Sequence, residues 1–149
     1  MTTLSETIAT HIDTNWDIDS GNNPKPTIAS KYDHPLPSAI ETDNVIVLPD
    51  EHSVYQNLSS GYRLKTITIT IQIVAKSKVG DATNRQERLE RLLNEVEHVC
   101  NKKNHVITGG YYEHYLDMDM NRSKVMGASV AEGLAKIDVT LVLKDVEAR

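Results

Sequence analysis

The sequence predicts an α+β domain in which a mainly antiparallel sheet of four to five strands carries two helices on one face. Three observations predict it. From Tyr62 to Val74, isoleucine alternates with threonine or glutamine; from Leu89 to Cys100, leucine and valine recur at helical spacing; and the elements run helix, strand, long strand, helix, strand, strand. Strands that do not alternate strictly with helices favour an antiparallel sheet over a doubly wound one. The 149 residues suit one domain, 1–149, able to build its own core. It divides into an N-terminal helix at 3–16, an extended loop at 20–38, and a sheet with the main helix at 44–145.

Each element has its own signal. Thr3 and Glu6 have capping-box spacing, and Leu4, Ile8 and Ile12 form one apolar stripe that Trp16 continues by number. Asp13, Asn15, Asp17 and Asp19 compete for backbone hydrogen bonds and end that helix. Ser20–Pro26 is turn chemistry followed by a proline-stiffened piece, repeated at His34–Pro37, with Ile28, Tyr32 and Leu36 as anchors. Asn44–Leu48 reads as a short strand stopped by Pro49, and 50–61 as a polar connection ending in Gly61. The Tyr62–Val74 strand pairs a dry face (Ile67, Ile69, Ile71, Ile73) with a polar one (Thr66, Thr68, Thr70, Gln72). At about 3.3 Å per residue it reaches roughly 43 Å, twice a typical strand, so it is expected to bend or to project beyond its domain.

The main helix opens at Asp81-Ala82-Thr83-Asn84, where Thr83 and Gln86 fit a capping box. Leu89, Leu92, Leu93, Val96, Val99 and Cys100 form its buried face, and Arg85, Glu87, Arg88, Glu90, Arg91, Glu95 and Glu97 lie mostly on the others. Lys102 and Lys103 close it in keeping with the helix dipole. A strand at His105–Thr108 leads through Gly109-Gly110 to a second at Tyr111–Met120. In that strand Tyr111, Glu113, Tyr115, Asp117 and Asp119 share one face. A flexible stretch at 121–133 precedes the last strand, Leu134–Leu143, with Ala135, Ile137, Val139, Leu141 and Leu143 inward.

Composition narrows the function classes. The net charge of −5 argues against a free-standing nucleic-acid binder, which normally needs a basic face, but does not exclude a wall that DNA slides past. With no Phe, the core must be aliphatic. The single Cys100 allows no internal disulfide and no cysteine-based zinc site, and its place on the apolar stripe marks a structural thiol. The N-terminus lacks the basic segment and apolar run of a signal peptide, and no stretch is long and apolar enough for a membrane. The chain is therefore expected to be made in a cytoplasm.

No cofactor, metal or catalytic residue is legible. Asp13-Thr14-Asn15-Trp16-Asp17 begins like a calcium loop, but Ile18 and Pro24 stand where glycine and the bidentate glutamate belong. Asp117–Asn121 fails likewise at Arg122 and Ala128. The six histidines have no metal-site spacing, so they read as surface or boundary residues. Tyr111, Tyr112 and Tyr115 lie among acids rather than the basic residues of a base-stacking platform, and read as packing or subunit contacts.

Thr14-Asn15-Trp16 followed by Gly21-Asn22-Asn23-Pro24-Lys25-Pro26-Thr27-Ile28 resembles a signature near the N-terminus of small neck and tail-completion proteins of tailed phages and archaeal viruses. The long Thr/Ile strand, the Arg/Glu-rich helix and the closing strand pair fit the same layout. Residues 50–61 and the glycine-containing segment before Leu134 depart from it. The resemblance implies a tail-terminator-like fold and a homo-hexameric ring in the virion. Such a ring ends the tail tube, meets the tube protein and the neck or connector proteins, and lets DNA through its lumen, with no cofactor, no catalysis and no membrane. A head-completion or connector-adaptor role is the alternative within the neck. In that frame Trp16, Pro24, Lys25, Pro26, Tyr62, Lys65, Thr66 and Thr68 are the expected subunit or partner contacts. Two other classes compete: a small hydrolase whose acids Asp13, Asp17, Asp117 and Asp119 converge, and a monomeric module whose 20–38 loop captures a peptide.

Overall fold

The computed structural model describes residues 3–19, 24–30, 43–48, 52–58, 61–76, 82–102, 115–122 and 134–148. These form two helices and a mixed six-stranded sheet.

Helix α1 (Leu4–Thr14) starts as its sequence requires: the Thr3 side chain accepts the Glu6 N–H at 3.2 Å. It stops two residues earlier than expected. The Asn15 N–H bonds back to the His11 carbonyl, and Trp16 leaves the helix to donate its indole N–H to the Ile18 carbonyl at 2.8 Å. Trp16 nonetheless packs partly buried against the core.

The segment expected to be irregular contains a strand, β1 (Thr27–Ser30), which pairs in parallel with β2 (Asn44–Val47). Pro26 is buried beside it, Ile28 leans on the core, and Ser30 Oγ donates to Ser5 Oγ of α1 at 3.0 Å. This parallel pair makes the sheet mixed. Strand direction depends on where the chain returns after Ser30, which side-chain alternation does not encode.

The region read as a polar connection contains a second unexpected strand, β3 (His52–Asn57). It pairs antiparallel with β4 (Tyr62–Lys76) through Asn57↔Arg63 to His52↔Thr68. Gly61, at φ 79°, turns the chain between them. Strand β2 lies along the same edge of β4, from Asn44↔Val74 to Val47↔Ile71. β2 and β3 therefore lie in succession along one edge of β4, with more residues between Val47 and His52 than between Thr68 and Ile71 opposite.

Strand β4 extends to Lys76, and the last strand, β6 (Leu134–Ala148), runs well past the expected Leu143. Their antiparallel register is unbroken from Tyr62↔Ala148 to Lys76↔Leu134. β5 (Tyr115–Arg122) closes the order β1-β2-β4-β6-β5. A register shift between Tyr115 and Asp117 sets Tyr115 opposite Asp145 but Asp117 opposite Lys144, so the expected strict alternation is broken there. The expected strand at His105–Thr108, the Gly109-Gly110 turn and residues 123–133 lie outside the described residues.

Helix α2 (Ala82–Lys102) is already helical at Ala82, so Thr83 falls inside it rather than capping it. α1 lies over β1 and β2, and α2 over β4 and β6, on the same face. Their side chains meet Val45, Val47, Ile67, Ile69, Ile71, Ile73, Ile137, Val139, Leu141 and Leu143 in one aliphatic core. His11, expected at a surface or boundary, is buried between the helices. Its Nε2–H donates to the Val99 carbonyl at 3.3 Å, and Nδ1 accepts from Asn15 Nδ2 at 3.4 Å. One neutral tautomer satisfies both.

Ile71 is fully buried at the middle of the dry face. Ile71→Ala is expected to cost about 2–5 kcal/mol of stability in urea unfolding, whereas Thr70→Ala on the reverse face is expected to cost well under half as much. Equal losses at the two positions would contradict the assignment of the dry face.

Candidate functional site

The expected contact residues separate into two places. Trp16, Pro24, Lys25 and Pro26 gather where α1 meets the start of β1. Tyr62, Lys65, Thr66 and Thr68 lie on the far part of β4. Asp43, beside the first group, binds the backbone of Lys76 at the opposite end of β4 from Tyr62. Along a strand, Thr68 to Lys76 is roughly 26 Å, so the two groups are distinct surfaces.

The first surface is a cleft of about 270 Å³. Trp16, Ile18, Pro24 and Leu92 form its apolar wall, and Asp43, Arg88, Arg91 and Glu95 supply polar groups. Asp43 is the knot beneath it. Its carboxylate accepts the Arg88 guanidinium at 2.6 Å and the Lys76 N–H at 2.9 Å, and its carbonyl accepts the Thr27 N–H at 2.9 Å. One residue thus ties β1, the end of β4 and α2 together. Glu95, expected on an outer face of α2, is instead buried, and its Oε1 accepts the Asp17 N–H at 3.2 Å. Lys25 turns away from the cleft: its Nζ pairs with Asp13 Oδ1 at 2.8 Å and donates to the Asp13 carbonyl. Pro26 is buried rather than presented.

The second surface is the ribbon of β3, β4 and β6 beyond the part covered by helices. In β4, burial fades from Ile67 towards Tyr62. Where isoleucines would continue the dry face, Arg63 and Lys65 stand. Both lie over the Tyr55 ring of β3, at 4.2 and 5.7 Å from its centroid. Thr68 is half-buried, its hydroxyl donating to the His52 carbonyl at 3.4 Å, and Thr66 is half-buried opposite Val54. Tyr62 is 49% exposed, Val54 55% and Tyr55 47%; among the described residues the other exposed large apolar side chain, Ile18, belongs to the cleft. Val54 and Tyr55 were missed in the sequence because HSVYQN has no alternation to mark a strand. Asp43 and Arg88 were missed because nothing local couples positions 45 residues apart.

The long β4 strand offers no free edge to a partner. Both of its edges are occupied, by β6 along its whole length and by β2 and β3 on the other side. Its extra length is spent on pairing within the chain, and among the described strands the outer edge of β3 is left open.

No catalytic convergence forms from the acids considered. α1, which ends just after Asp13, lies over β1 at one edge of the sheet, and β5, with Asp117 and Asp119, is at the other. Four strand spacings, roughly 19 Å, separate them. Among the described residues no group of three His, Cys, Asp or Glu could hold a metal ion, and no helix is long and apolar enough to cross a membrane. The Cys100 thiol is fully buried, and burial, helped by the nearby Glu97 charge, pushes it up to about 12. Above pH 9 the unfolded chain releases this proton more readily than the folded one, so its contribution to stability declines between pH 9 and about 12.

Compared with known protein families and curated proteins, the chain matches no family model and no curated sequence.

Two outcomes follow. Asp43→Ala is expected to lose about 3 kcal/mol in denaturant unfolding, because it strands the Arg88 charge and the Lys76 N–H together; Asp43→Asn, which keeps an acceptor for Lys76, is expected to lose less. A thiol reagent at pH 8 is expected to label native Cys100 roughly a hundredfold more slowly than the urea-unfolded chain. Comparable rates would mean that the thiol is accessible.

Proposed function

We propose that this chain is a structural subunit of a ring at the head-proximal end of a viral tail, where it terminates the tail tube and joins it to the neck. The observation that carries the proposal is the ribbon beyond the core. It holds most of the large apolar side chains exposed among the described residues, Val54, Tyr55 and Tyr62, on a three-stranded ribbon. A self-sufficient monomer gains nothing from such a ribbon, whereas a subunit that packs against copies of itself or against a neighbouring ring does. The N-terminal resemblance supplies the viral setting. The net charge of −5 suits a lumen through which DNA passes without binding.

The hydrolase reading has less support, because both acids of the cleft are already engaged, Asp43 by Arg88 and Lys76 and Glu95 by the Asp17 backbone. A head-completion or connector-adaptor role in the same neck is the alternative. The two differ in the neighbour: a terminator binds the open end of the tail tube, an adaptor binds the portal side.

The test is assembly. Native mass spectrometry and negative-stain microscopy of the chain, alone and mixed with preformed tail tubes, are expected to give a cyclic oligomer, six being the expected number, seated at one end of each tube. Monomers alone on tubes and in purified virions would sink the ring; rings that ignore tubes but bind portal would move the chain to the adaptor role.

A further inference from the structure

The strand that carries the exposed apolar residues is also an open edge. β3 is bonded to β4 on one side only, and no described strand lies on its other side. It is exposed along nearly its whole length. Folded proteins blunt such edges with charge, proline or a bulge. β3 has none of these: His52–Asn57 contains no Lys, Arg, Asp, Glu or Pro, and its register with β4 is uninterrupted.

The Leu58 N–H donates to the Tyr62 carbonyl at 2.8 Å. Hydrogen-bonded pairs alternate in an antiparallel ladder, so Gln56/Leu64, Val54/Thr66 and His52/Thr68 are the bonded pairs. The N–H and C=O groups of Ser53, Tyr55 and Asn57 therefore face away from β4.

The opposite edge of the same sheet supplies a match. At the level of Lys65–Thr68 in β4 the strand order is β3-β4-β6-β5, each pair antiparallel. β5 is the far edge. It therefore runs antiparallel to β3, and past its register shift it offers an uninterrupted run from Asp117 to Arg122, the same length as β3. Joining β3 of one copy to β5 of the next continues the sheet with no change of sense. This contact is heterologous, the kind that closes a ring when the rotation per subunit allows. Asp117 and Asp119 set β5 against pairing with another β5, since like charges across a strand pair repel, while β3 has no acid to oppose them.

We infer that the free edge of β3 accepts β5 of a second copy of this chain, so that the subunit contact of the ring is a continuous antiparallel sheet. This rests on the ring reading above and names its contact.

The test uses the full chain and its assembled ring. Ser53→Pro removes one outward N–H without touching a bond to β4, and Val54→Lys adds a charge to the edge. Both variants are expected to keep the far-ultraviolet circular dichroism and a Tm within about 5 °C of the parent, while the ring population in native mass spectra falls at least tenfold. In the parent ring, amide exchange at Ser53, Tyr55 and Asn57 and along the outer edge of β5 is expected to slow at least tenfold relative to the monomer. If Ser53→Pro does not fold, Val54→Lys and the exchange data decide. Rings that persist in both variants, or assembled rings whose β3 and β5 amides exchange as in the monomer, overturn the contact and leave the ring reading standing. A parent that forms only symmetric dimers through β3 overturns both.

Discussion

The β4–β6 ladder is the constraint on which the other parts depend. It keeps one register over the full length of both strands, from Tyr62↔Ala148 to Lys76↔Leu134. Because side chains alternate along a strand, a slip of one residue would carry Ile67, Ile69, Ile71 and Ile73, together with Ile137, Val139, Leu141 and Leu143, away from the helices. Each strand thus fixes the facing of the other. The helices have only one dry surface to settle on, and they share it, α1 over the β1–β2 side and α2 over β4 and β6.

The same ladder is longer than the helices that cover it. Over Ile67–Ala75 the odd-numbered face of β4 is sealed, and the Asp43 knot locks that end to β1 and α2. Towards Tyr62 burial fades, and the residue types change to match. Arg63 and Lys65 replace isoleucine, and Tyr55 is held beneath their charges by attraction to its ring face. The ribbon is therefore ordered by strand pairing and local contacts rather than by a core. That leaves its outer surface and its edge available to a partner without loosening the domain.

The cleft and the ribbon differ in kind. Around the cleft, the buried polar groups Asp43 and Glu95 are matched within the chain. Removing one partner there would be costly, because it leaves the other buried polar group or charge unmatched. On the ribbon, the outward groups of β3 have no described strand beside them. Outward groups of this kind can be met by water or by a neighbouring strand.

Local pattern alone determined a good part of this protein. The Thr3 cap, the α1 stripe, the dry face of β4, the buried face of α2 with its inert thiol, and the inward set of β6 were all legible, because each is set by the period at which apolar residues recur or by a side chain three residues from its partner. Tertiary structure decided the rest. It made strands of Thr27–Ser30 and His52–Asn57, whose sequences carry no strand period, by placing them against β2 and β4. It also set β1 parallel, shifted the register of β5, lengthened β6 to match β4, and paired Asp43 with Arg88. These features depend on which distant segments become neighbours, and one chain's local pattern does not contain that information. For the same reason the long β4 strand could be read from the sequence, while the fact that its edges are already taken, and that β3 is an open edge among the described strands, could not.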